Sequence, residues 1–149
     1  MGKSMAGWLA AAGWVASTAA WGQQAPSPGL WEFTMDAKVA SQPGFQFPPQ
    51  KRSQCVSDRE AADPGGVMLG LQQAAKGVEG CSYSKSQVVG STMNFEMRCA
   101  GESKVEAKGS VLFTSDSLEG DVVTTMGAAD GTVEFRSHLT GRRVGPCGG

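Results

Sequence analysis

The sequence predicts a mainly β fold: a curved antiparallel meander, half-barrel or barrel-like, of about seven strands, with a short helical insert. Three observations carry this expectation. Apolar and polar residues alternate with period two through most of the chain from Gly29 onward, which is how strands with one buried and one wet face read. Polar or glycine-containing clusters separate the alternating runs at hairpin spacing. Finally, the chain has 4 cysteines in 149 residues, and strand pairing brings at least two of them together.

The first 22 residues, MGKSMAGWLAAAGWVASTAAWG, stand apart from that pattern. Lys3 precedes an alanine-rich apolar stretch from Met5 to about Val15, and small residues end in Ala20-Trp21-Gly22. This is the layout of a secretory signal peptide, with cleavage expected before Gln23 and a cut before Trp21 as the alternative. The apolar stretch is shorter than the roughly 20 residues a membrane span needs. No cysteine lies near the cut to accept a lipid, so no stable membrane anchor is expected, and the location is periplasmic or secreted. Residues 23–149 then form a single disulfide-stapled β-rich domain. Without Lys3 that domain carries 12 basic and 14 acidic side chains. Neither a basic face for nucleic acid nor a polybasic patch for membranes is present.

Taken in order, GLWEFTMDAKV (29–39) places Trp31, Phe33, Met35, Ala37 and Val39 on one face against Glu32, Thr34, Asp36 and Lys38. QPGFQFPPQ is a proline-rich turn, and Gln50 to Val56 is a short strand. Ser57-Asp58-Arg59-Glu60 has the form of a capping box that opens a short helix, which DPGG (63–66) is expected to interrupt. Val67 to Lys76 has helical apolar spacing weakened by Gly70. Residues 81–99 read as a hairpin turning at Val89-Gly90-Ser91, in which Met93, Phe95, Met97 and Cys99 are apolar and Thr92, Asn94, Glu96 and Arg98 polar. Positions whose numbers sum to 180 then pair, so Lys85 faces Phe95, Val88 faces Thr92, and Cys81 lies opposite Cys99. Val105, Ala107, Val111 and Phe113 continue the apolar face. After the polar turn TSDS (114–117) the apolar set moves to Leu118, Val122 and Met126, as an even-length turn requires if Phe113 is to face Leu118. GAADG (127–131) leads into Val133, Phe135 and Leu139, with Glu134, Arg136 and His138 outward.

The register predicts a Cys81–Cys99 bridge across the open end of the hairpin, and Cys55–Cys147 follows by exclusion. An even number of cysteines in an exported small domain fits two disulfides.

The chain also resembles a bacterial family of exported proteins, domain of unknown function 3617. The resemblance rests on Pro28-Gly29-Leu30-Trp31-Glu32, Cys55 followed by a short acidic helix, the Cys81…Cys99 hairpin, and the closing Gly141-Arg142-Arg143-Val144-Gly145-Pro146-Cys147. It covers residues 26 to 147 and implies an envelope or periplasmic location and a β-rich domain. It implies no catalytic residues.

Reaction chemistry is sparse. The single histidine, His138, lies on a polar strand face, and Ser137 and Ser103 sit in no glycine-flanked nucleophile motif. The cysteines are too widely spaced for a C-x-x-C redox or zinc site. The protein is expected not to be an enzyme, and no metal or cofactor is expected. Asp116, Glu119 and Asp121 read as a solvated hairpin tip.

Two functions fit this sequence. In one, a curled sheet presents Trp31, Phe33, Met35, Phe95, Met97, Phe113 and Phe135 as the lining of a site for a small apolar or lipid-like molecule, with Arg142 or Arg143 at its rim. In the other, the chain is a structural or protein-interaction module whose partner is an envelope protein.

Overall fold

The computed structural model describes residues 25–73, 79–101 and 104–148. The signal-peptide reading of residues 1–22 and the end of the second helix at residues 74–76 lie outside them. The elements run β1 (Gly29–Val39), β2 (Gln50–Val56), α1 (Asp58–Ala62), α2 (Pro64–Gln73), β3 (Cys81–Val89), β4 (Thr92–Cys99), β5 (Val105–Phe113), β6 (Ser117–Ala128) and β7 (Gly131–Gly145). All seven strands form one open antiparallel sheet in the order β2-β1-β7-β6-β5-β4-β3. It is a meander from β3 to β7, and β7 then pairs with β1, so the first and last strands meet inside the sheet. The sheet does not close into a barrel, because β2 and β3 remain edges.

The predicted alternation sets the core. Trp31 and Phe33 of β1, Met93, Phe95 and Met97 of β4, Val111 and Phe113 of β5, Leu118 and Val122 of β6 and Leu139 of β7 are buried on one face. Three glycines run diagonally across that face, one per strand. Gly141 pairs with Phe33 and Leu118, Gly120 with Leu139 and Val111, and Gly109 with Val122 and Phe95. A Cβ on Gly120 would stand 2.5 Å from the Ser110 carbonyl oxygen, and one on Gly141 would stand 2.8 Å from the Phe33 ring. Large side chains fold over these gaps, and bare backbone at such points lets a sheet bend.

The Cys81–Cys99 pairing has the predicted register, as does Tyr83 with Met97. Nearer the tip the prediction is off by one: Lys85 faces Glu96, Val88 faces Met93 and Val89 faces Thr92. The turn is the two-residue Gly90-Ser91, with Gly90 at φ 61°, rather than the three residues expected. A register shift between Tyr83 and Lys85 absorbs the difference. Ser84 is the extra residue of this bulge, and its hydroxyl donates to the Glu96 carbonyl (3.2 Å). The second bridge, Cys55–Cys147, is also formed. It ties β2 to the tail beyond β7 across the end of β1.

In the insert, the Ser57–Glu60 capping box has both arms: Glu60 N–H donates to Ser57 Oγ (3.3 Å) and Ser57 N–H to the Glu60 carboxylate (2.8 Å). The Ser57 N–H and the Ser57 hydroxyl, which also donates to the Glu60 carboxylate (2.8 Å), hold that carboxyl below its usual range, the backbone N–H being the larger cause. DPGG ends α1 as expected, with Asp63 as its C-cap, and its Pro64 then starts α2, three residues before the expected Val67. Pro64 occupies the first turn, where a missing N–H costs nothing, and Asp63 accepts from the Gly65 N–H (3.0 Å). Ala61, Val67, Met68 and Leu71 are buried against the core face. The insert also reaches both edge strands: the Tyr83 hydroxyl donates to the Gly65 carbonyl (2.6 Å) and Arg52 Nη1 to the Leu71 carbonyl (3.4 Å).

Candidate functional site

Five of the seven residues proposed to line an apolar site are packed core. Trp31, Phe33, Phe95, Met97 and Phe113 expose between 1 and 3% of their surface. Trp31 also donates its indole N–H to the Ser27 carbonyl (2.9 Å), and Tyr83 meets Phe95 edge-on with ring centroids 5.8 Å apart. Burial pushes the Tyr83 phenol well above its ordinary pKa, with the Asp63 charge adding to the effect. Met35 is half-buried at the margin of this cluster. Phe135 stands outside it and forms a second small aromatic group, 6.2 Å from Phe47, which in turn meets the exposed Phe45 at 5.0 Å.

The two arginines do not act together. Arg143 Nε donates to the Pro28 carbonyl (2.7 Å), and its guanidinium lies where a Cβ on Gly29 would be (Gly29 has φ 144°). Arg142 is exposed on the opposite, polar face, in register with Glu32 and Ser117. The opening and closing motifs of the chain thus meet and close one end of the sheet.

On the polar face, the register aligns Asp36, His138 and Asp121 along adjacent strands. His138 Nδ1 lies 3.0 Å from Asp121 Oδ1, and Nε2 lies 3.5 Å from Glu119 Oε1. The bond to Asp121 and the charges of Asp121, Glu119 and Asp36 outweigh slight desolvation and raise the imidazole pKa. A shallow groove of about 410 Å³ runs beside this row, between Asp36, Lys38, Asp121, Arg136 and His138. Both ring nitrogens face carboxylates, which is not how a histidine activates a hydroxyl nucleophile. Ser137 follows the opposite parity from His138, and Ser103 lies outside the described residues. Asp116 does not join the cluster; it accepts from the Thr114 hydroxyl in the β5–β6 turn (3.0 Å). Among the described residues no group of three or more His, Cys, Asp or Glu is placed to hold a metal ion.

The sequence reading missed one surface. Val88, Val89 and Leu112 are 39, 62 and 51% exposed; Val89 and Leu112 share the polar face on either side of Thr92, and Val88 lies on the other face at the β3 edge. Leu112 was the available signal, since it is an apolar residue at a polar-parity position between Val111 and Phe113. The two valines were hidden because Val89 was assigned to the turn and Val88 to its flank.

The fold and these surfaces define a disulfide-tied, open-sheet β domain with a packed core. Its two disulfides point to a compartment outside the reducing cytoplasm. Among the described residues no helix is long and apolar enough to cross a membrane. The chain belongs to the family described as Protein of unknown function (DUF3617), whose model matches residues 26–147. No curated protein and no solved structure matches it.

Proposed function

We propose that the protein is an exported, non-catalytic interaction module of the cell envelope that binds another protein through the exposed end of its β3–β4 hairpin. One observation carries this reading. Val89 and Leu112 stay exposed on the polar face, one on each side of Thr92, and Val88 stays exposed on the other face of the same open edge, although the core face holds the other large apolar side chains of β4 and β5. Apolar exposure at and beside an unpaired edge marks an association surface. The carboxylate-bound His138 supports a role without catalysis, and the alanine-rich leader with the two disulfides supports export. The test is cross-linking in intact cells of the source organism, followed by reconstitution with the purified partner. A discrete complex is expected from the native chain and a much weaker one from Val88→Lys/Val89→Lys. An equal yield from both chains would overturn the assignment of this surface.

A second reading, a carrier of a small apolar or lipid-like molecule, draws on Met35 and on Phe135 with its partners Phe47 and exposed Phe45. It predicts lipid in solvent extracts of protein purified without detergent. It also predicts fatty-acid probe binding that weakens in Phe135→Asp. A clean extract and no probe binding would remove it.

A further inference from the structure

The two edges of the open sheet differ in how they are guarded. At β2, Pro48-Pro49 precede the strand, Lys51 and Arg52 stand side by side on it, and Cys55 is bridged to the carboxyl-terminal tail. Prolines and consecutive charges are the usual means by which an edge is kept from pairing. Past the Ser84 bulge, from Lys85 to Val89, β3 has no proline and one charge, Lys85, which meets Glu96 of β4 (3.3 Å), and every residue is exposed. Alternate residues of an edge strand turn their N–H and C=O groups away from the only neighbour they have, and for β3 that neighbour is β4. Resting on the interaction reading above, we propose that β3 accepts an extended segment of a partner polypeptide as an eighth strand.

The side chains define the chemistry of that segment. Beyond the bulge, Ser86 and Val88 share the face of Phe95 and Met93, while Lys85, Gln87 and Val89 share that of Glu96, Asn94 and Thr92. The complement is a proline-free stretch of about six residues, roughly 20 Å long. It has a β-branched or other apolar residue beside Val88 and Val89, and an acidic residue beside Lys85. In the two-fold antiparallel register that uses the whole of β3, which is centred on Lys85, a second copy of this chain would set two lysines directly opposite, which is unfavourable. Backbone pairing supplies affinity in such complexes, and alternate side chains supply selectivity.

The experiment selects binders for the oxidised protein from a displayed library of 12-residue peptides and then synthesises the tightest. Strand addition requires that N-methylation of its backbone weaken binding at least tenfold at every second position and little in between. Bound peptide should slow hydrogen exchange at alternate amides of β3. Val88→Lys/Val89→Lys should lower affinity at least tenfold, while Thr132→Lys, on β7, should leave it unchanged. A methylation scan without alternation, or protection confined to other strands, would overturn strand addition and leave the interaction reading standing. A concentration-dependent dimer abolished by Val88→Lys would assign the edge to a second copy and overturn the heterologous partner. Failure to select any binder would overturn strand addition, and loss of the cellular complex as well would overturn both readings.

Discussion

Gly120 has backbone where its neighbours carry side chains, and the core depends on that. Its Cβ position falls within 3 Å of the Ser110 carbonyl oxygen, a Val111 methyl and the Val111 Cα, two of which are backbone that cannot swing aside. Gly120→Ala is therefore expected to destabilise the fold by about 1 to 3 kcal/mol, the range for overpacking a close contact, measured by urea unfolding. His138 gives a second residue-scale expectation. Its folded pKa is raised above 6.5, chiefly by the bond to Asp121. The protonated ring's contribution to stability is then full below pH 6.5 and is lost as pH rises through the folded value. An NMR titration should place the imidazole above 6.5, and Asp121→Asn should bring it down towards 6.5. The stability gap between the native chain and His138→Gln should narrow as pH rises from 6.5 through the folded value. An imidazole that titrates at 6.5 in both proteins would contradict the Asp121 pairing.

At the scale of elements, the two bridges do unequal work. Cys81–Cys99 spans 18 residues and Cys55–Cys147 spans 92. Loop-closure entropy assigns about 3 kcal/mol to the shorter and between about 4 and 5 kcal/mol to the longer. Replacing each pair by serine and comparing urea midpoints should show the larger loss for Cys55/Cys147; equal losses would contradict the ordering. Both pairings could be read from the sequence, because period-two alternation fixes which residues share a face and the Cys81…Cys99 spacing is symmetrical about Gly90. The bulge could not. A one-residue insertion at Ser84 leaves the apolar residues of β4 in phase, and β3 has too few apolar residues to reveal a change of parity. The start of α2 was misread because Pro64 and Gly65-Gly66 break a helix when placed inside it but are tolerated in its first turn. The apolar supply was legible in the sequence, but the way it packs was not. Alternation shows that Phe33 and Phe95 face inward, whereas the filling of the space before them depends on the bare Gly141 and Gly109 opposite and on the insert above. The candidate surface at Val88 and Val89 rests on the sheet staying open, which local pattern does not encode.

At the scale of the whole molecule, the insert and the sheet depend on each other. α2 touches Tyr83 on one edge strand and Arg52 on the other, so it braces an open sheet that lacks the closure of a barrel. The Cys55–Cys147 bond, considered as a mechanical part, has a further consequence. It makes a covalent ring of residues 55 to 147, which contains five of the seven strands and both helices. β1 and most of β2 lie outside the ring. A load applied between residue 25 and residue 148 can strip β1 from β2 and β7, and then reaches the bond and stops. Fully extended, residues 25 to 55 span about 110 Å, against roughly 430 Å for residues 25 to 148 with both bridges reduced. Single-molecule pulling of the oxidised protein should show the short extension alone, with the long one appearing only after reductant is added. A long extension without reductant would mean that the ring is not closed. With the ring intact, a chain gripped at both ends can lose β1 to tension while the β3 edge, inside the ring, remains folded.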